Sequence, residues 1–302
     1  MKTNQKTLLF FSAAALTTFF ACTKDDAAQD EQSLTPTIID QPKGIENECS
    51  YVDAYWPSSA VLSTTLSAGA GTSSDVTLMT NQNTAIKTFW RGSSVAAPTF
   101  RFVQNGTNWS STYNAISYST GKIYYGEGIF RDAKSKDASN LINVMILAHE
   151  YGHQLQYAYG LPSRTESTAR PNELEADGMA GYYLRRGYGK STFASIATGY
   201  EFAYAIGDYQ TTSSGHHGTP PQRRSAVRLG FLLADPANAK LSATQFDYNF
   251  FYYYTGVLNG TYRLSKPADI SEETHEYIML HMDELRRIQS GQMSDEEYFN
   301  LQ

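Results

Sequence analysis

Three residues in the stretch AHEYGHQLQYAYG, 148–160, have the types and spacing to do chemistry together: His149, Glu150 and His153. On a helix, residues four apart stand one above the other on the same face. The imidazoles of His149 and His153 can then grip one divalent cation, and zinc is the ion most often held by this pattern. Glu150 follows the first histidine directly, close enough to take a proton from a water at the cation. Such a trio suits hydrolysis of a carbonyl bond. Gly152 lets a second backbone approach the same helix, whereas Tyr151 has no evident role. Two histidines on one helix also occur as an ordinary core or surface pair, so a second half of the site is needed.

A catalytic zinc takes three protein ligands and keeps a fourth position open. Downstream of His153 runs NELEADGMAG, 172–181, with Glu173 and Asp177 again four apart. Glu173 would supply the third ligand. Asp177, a turn later, would accept a hydrogen bond from the free N–H of a ligand histidine and so fix its tautomer. An acidic first turn that favours the helix dipole is the plainer alternative. It leaves unexplained why the pair follows the histidines at a helix-loop distance.

These side chains need two helices to hold them. The first is expected over LINVMILAHEYGHQLQYAY, capped by Ser139 or Asn140, closed by Gly160 in a left-handed cap and stopped by Pro162. The second is expected to start at Pro171 or Asn172 and to end on Arg185 and Arg186. TLMTNQNTAIKTFWRG has a helical pattern, and PTFRFVQNG and KIYYGEG read as strands ended by turn residues. The aromatic run FDYNFFYYYTG reads as a core strand in preference to a peptide- or glycan-binding surface, and Glu272 to Gln289 as an amphipathic helix. Helices mixed with a few separate strands place the chain in the α+β class.

The termini carry another signal. Lys2 and Lys6 precede an apolar run from Leu8 to Phe20, too short to span a bilayer comfortably and of signal-peptide length. Ala21 before Cys22 resembles a bacterial lipoprotein processing site, with Cys22 the lipidated residue. The KDD that follows resembles a surface-export signal, which puts the protein at the cell envelope, on the outer membrane. The expected organisation is a signal peptide over 1–21, an acidic tether over 22–48, a catalytic domain over 49–235 and an aromatic and helical extension over 236–302. Acylated Cys22 would leave only Cys49, so no intramolecular disulfide is expected. Removing the leader takes the formal charge from −6 to −8, and no basic run survives. That argues against nucleic acid as a partner.

ILAHEYGHQLQ followed by NELEADGMAGYY resembles a family of bacterial neutral zinc metallopeptidases, whose pattern is AHExGHxxQ and then ELxADxxAG. HHGTPPQRRSAVRLGF, 216–231, is similar to that family's HGTxxQR…GF segment, and YNAISYSTGKIYYGEGIF, 113–130, to its edge strand. The match covers roughly Tyr113 to Phe231 and departs at Tyr151, where Val is usual, and at Gln154, where a further His often stands. The resemblance implies a zincin-like α+β fold of the gluzincin kind, with an active-site helix, a second helix bearing the third ligand and a small sheet whose edge strand lines the cleft. It implies one catalytic Zn2+ on His149, His153 and Glu173, Glu150 as general base and Asp177 behind the metal. The edge strand would be Ile123, Tyr124 and Tyr125, pairing an extended protein or peptide substrate by its backbone. The oxyanion donor stays open among His216, His217 and the tyrosines, with His217 singled out. A second reading is a non-catalytic surface lipoprotein using the same fold to bind protein or glycan; a base beside the metal argues against it.

Overall fold

The computed structural model describes residues 55–302 apart from 107, 200, 202–208, 210 and 261–265. Cys22, Cys49, the leader over 1–21 and the tether over 22–48 lie outside the described residues. The fold is α+β: among the described residues four short strands form one sheet, and helices make up most of the rest. No helix among the described residues is long and apolar enough to cross a membrane.

The strands are β1 (Val61–Ser63), β2 (Thr99–Gln104), β3 (Ala115–Tyr118) and β4 (Lys122–Gly126), in the spatial order β1-β2-β4-β3. β2 and β4 run parallel, while both outer strands pair antiparallel to their neighbours. This corrects one expectation. Ile123, Tyr124 and Tyr125 lie on an interior strand paired on both sides, so their backbone cannot receive another chain. The edge is β3, one hairpin turn earlier. Alternation then sorts the side chains: Phe100, Phe102, Ile123 and Tyr125 face the helices, where Phe102 and Tyr125 meet Phe130 edge-on. Ile116, Tyr124 and Val103 face the other way, onto Trp56 and Ala60.

α1 (Ser73–Arg91) packs on the next long helix, and α2 (Glu127–Lys136) packs against β2 and β4. Between them and the rest lies α3 (Leu141–Tyr159), buried along nearly its whole length. Neither Ser139 nor Asn140 caps it. Asn140 sits in the left-handed region and sends its amide to Asp75 Oδ1, 2.7 Å away. The first helical N–H, that of Leu141, donates instead to Asp137 Oδ2 at 2.6 Å. Gly160 does close the helix in the left-handed conformation.

α4 (Arg170–Arg186) packs on α3 on one side and on α5 (Pro220–Leu233) on the other. Glycine makes the crossing of α4 and α5 close. A Cβ at Gly230 would fall 1.9 Å from the Gly178 carbonyl oxygen, and one at Gly181 would fall 2.3 Å from that of Val227.

The aromatic run near residue 250 is the helix α6 (Ala243–Asn259), not a strand. Phe246, Phe250 and Tyr254 recur every fourth residue and stack along one helix face at centroid distances of 5.6 and 5.1 Å. That spacing buries them together against α4, so helical packing overrides the strand preference of the individual aromatics. The amphipathic C-terminal stretch is two helices, α7 (Glu272–Leu280) and α8 (Met282–Gln289), parted at His281 and followed by the short α9 (Asp295–Phe299). Phe246, Tyr253, Ile278 and Leu285 from this region belong to the same hydrophobic cluster as α3 and α4.

Candidate metal centre

On α3 the rings of His149 and His153 turn their Nε2 atoms toward each other, 3.2 Å apart. α4 brings Glu173 against both: Oε2 lies 3.5 Å from His149 Nε2 and Oε1 lies 3.6 Å from His153 Nε2. One atom from each residue falls within 4.8 Å of the others, a grouping able to hold a metal ion.

The outer nitrogens decide what the inner ones are. His149 Nδ1 lies 2.9 Å from Asp177 Oδ1, whose carboxylate only accepts. His153 Nδ1 lies 2.8 Å from Gln156 Oε1. The Gln156 amide is oriented by its Nε2, which donates to the Asn172 carbonyl at 2.8 Å, so its oxygen must face the histidine. Both histidines therefore carry their proton on Nδ1 in the neutral form, and each presents an Nε2 lone pair to the other. Two lone pairs at this distance repel unless a cation or a proton lies between them. Two nitrogens on one tetrahedral zinc stand about 3.3 Å apart, given Zn–N bonds near ~2.05 Å. The donor set is thus one that could hold a divalent cation.

Charge points the same way. Glu150, Glu173 and Asp177 bring three carboxylates into a largely buried region, against one guanidinium from Arg223 on α5. Arg223 is 1% exposed; its Nε and Nη2 donate to Asp177 at 2.7 and 2.9 Å, and its Nη1 lies 3.4 Å from Glu173 Oε2. A divalent cation would balance the remainder. In the metal-free protein, burial works against the charge on Glu173, but hydrogen bonds from His149, in its protonated form, and from His217, with His153 and Arg223 nearby, hold its carboxyl well below the usual range. Asp177 is likewise held down by Arg223 and His149 in spite of burial. Glu150 goes the other way: burial pushes it up and the neighbouring histidines offset this only in part. A carboxylate moved toward neutrality is a better proton acceptor than an ordinary one.

The edge strand is tied to this helix. Ser117 Oγ donates to the Glu150 carbonyl at 2.7 Å and accepts from Gln154 Nε2 at 2.8 Å. Gln154 also donates to the Tyr118 carbonyl, which gives a structural use to the position where the resembling family often has histidine. His217 stands beside the site, its Nδ1 3.3 Å from Glu173 Oε1, whereas His216 is buried behind it.

The structure thus brings together His149, Glu150, His153, Glu173, Asp177 and His217, and leaves Ile123, Tyr124 and Tyr125 in the sheet interior. Gln156 and Arg223 complete the surroundings without having been singled out in the sequence. Gln156 had a local signal, three residues past His153 on one helix face. Arg223 had none, since it arrives from a distant segment.

Gly152 sets the spacing of the two halves. A Cβ there would lie 2.9 Å from Ala176 Cα and 3.0 Å from its Cβ. Gly152→Val is therefore expected to push α4 off α3, and with it Glu173 off the histidines. Zinc titration should show at least a tenfold loss of affinity in protein that still gives a helical circular dichroism spectrum. Wild-type affinity in Gly152→Val would refute this account of the spacing.

Compared with protein-family models, with curated proteins and with solved structures, the chain finds no match.

Proposed function

We propose that the protein is a zinc-dependent endopeptidase of the zincin-like, gluzincin kind, in which Glu150 activates water against a peptide carbonyl. The observation that carries this reading is the pair of opposed Nε2 atoms, 3.2 Å apart, closed by the Glu173 carboxylate and with Glu150 in the field of both rings. The resemblance of ILAHEYGHQLQ and NELEADGMAGYY, in that order, to the pattern of the neutral zinc metallopeptidases is what suggested it.

His149, His153 and Glu173 would hold the ion. A bound zinc supplies a Lewis acid that lowers the pKa of water and polarises a carbonyl. Glu150, held up by burial, accepts the proton of the attacking water and returns it to the departing amine. Asp177 and Gln156 keep the imidazoles in the ligating tautomer, and Arg223 holds Asp177 and Glu173 in place. His217 is within reach of the site and is the residue assigned to steady the developing oxyanion. The substrate would lie along β3. A lipid anchor on Cys22 would hold the enzyme at the cell envelope, a placement that rests on the N-terminal residues alone.

A metal site of purely structural use would have no need of Glu150. The test is elemental analysis of purified protein beginning after Cys22, wild type beside Glu173→Ala. About one zinc per chain in the wild type and loss of it in the variant is the expected result. A wild type that takes up no zinc on refilling would end the metallopeptidase reading.

A further inference from the structure

The free edge of β3 is partly closed by the chain itself. In the antiparallel pair with β4, Ser117 stands opposite Ile123 and Ala115 opposite Tyr125. One step outward, the Gly126 N–H donates to the Asn114 carbonyl at 2.8 Å, so that pair is a hydrogen-bonded one. Hydrogen-bonded and open pairs alternate. Ala115 and Ser117 therefore turn their N–H and C=O groups away from β4, and the carbonyl of Ser117 meets Tyr157 of α3. The Ala115 N–H is taken by its neighbour's side chain, Asn114 Oδ1, at 2.9 Å. The Ser117 carbonyl accepts from the Tyr157 hydroxyl at 3.3 Å.

Tyr157 lies one helical turn past His153, so His149, His153 and Tyr157 share one face of α3. Its side chain is half exposed, and its hydroxyl lies in the field of Glu150 and Glu173. Burial and those two carboxylates keep the phenol above its ordinary pKa, so it remains a donor through the neutral range. An antiparallel peptide residue facing Ser117 must donate its own N–H to the carbonyl that Tyr157 occupies and accept from the Ser117 N–H.

We propose that Tyr157 is a latch on the substrate edge: its hydroxyl holds the Ser117 carbonyl in the resting protein and swings off when an extended peptide pairs antiparallel to β3. Tyr157 is then a specificity-setting residue that raises KM and takes no part in the chemical step. The long hydrogen bond and the exposed ring make the displacement cheap. The anchored donor at Asn114 leaves Ser117 as the more accessible of the two pairing positions. This rests on the peptidase reading.

The test compares zinc-loaded wild type, Tyr157→Phe and Tyr157→Ala on a set of internally quenched peptides of graded length. Removing the competing hydroxyl is expected to lower KM by about three- to tenfold in Tyr157→Phe, the worth of one net hydrogen bond, with kcat within about twofold. The same pair of proteins in the Glu150→Gln background, which removes turnover, should bind those peptides about three- to tenfold more tightly by fluorescence anisotropy. Tyr157→Ala, which also removes the ring, should show the same gain if the hydroxyl is what competes. Equal KM and Kd in all three proteins, a raised KM, or a fall in kcat alone would overturn the latch and leave the peptidase standing. No cleavage and no binding by zinc-loaded wild type would overturn both.

Discussion

Glu150→Gln is expected to lower peptide hydrolysis by about 10²- to 10⁴-fold while the protein keeps about one zinc per chain. The substitution preserves shape and removes the proton-accepting oxygen. What positions residue 150 survives it, because the tie to the edge strand runs from Ser117 Oγ to the backbone carbonyl of this residue, not to its side chain. The ligands keep their outer partners as well, since Asp177 and Gln156 act on the histidines and not on Glu150. Loss of activity with retained metal therefore isolates the base. Turnover on a quenched peptide and zinc content on the same preparation are the two measurements. Retained turnover would remove Glu150 from the mechanism. Joint loss of zinc and turnover would make it part of the metal's support.

Arg223→Met is expected to cost about 3–5 kcal/mol of stability in the metal-free protein. The guanidinium is almost wholly buried and serves Asp177 through two donors while touching Glu173. Its removal leaves the buried Asp177 and the largely buried Glu173 with only histidines to offset their charge, and breaking a buried pair in this way costs more than the ion pair itself contributes. Zinc would restore part of the balance, so the variant should gain more from added zinc in urea unfolding than the wild type does. Its zinc affinity, read by competition with a chromophoric chelator, should still fall by about 10- to 100-fold, because Asp177 would no longer be steered onto His149. Arg223→Lys keeps the charge but cannot reach two oxygens in parallel, and belongs between the two. Wild-type stability and affinity in Arg223→Met would show that the buried carboxylates do not depend on it.

What the sequence disclosed was the part of the site encoded at short range. Two four-residue spacings, His149 to His153 and Glu173 to Asp177, translate into position as soon as each segment is helical, and Gly160 and Gly152 marked a helix end and a close crossing. The outer contacts of the histidines split along the same line. Asp177 and Gln156 were within reach of helix periodicity, whereas Arg223 enters from α5 through tertiary packing and has no signature in spacing. The sheet misled for a related reason. KIYYG has the stronger strand composition, but it pairs in parallel with a strand some twenty residues earlier, and that nonlocal pairing makes it an interior strand. The plainer AISY is left on the edge. In α6, a dense run of Phe and Tyr suggested a strand by residue type, while its four-residue recurrence, the better guide, specified a helix.

The placement of Arg223 also has a consequence in time. The proposed ligands, the proposed base and both histidine partners lie on α3 and α4, which leave the ribosome before α5 and the C-terminal helices packed with it. Until that later half has emerged and packed, Asp177 and Glu173 lack the guanidinium and have only the histidines of α3 beside them. A partly synthesised chain would thus be a poor receptor for metal, and the proposed site would be completed only once α5 has packed against α4.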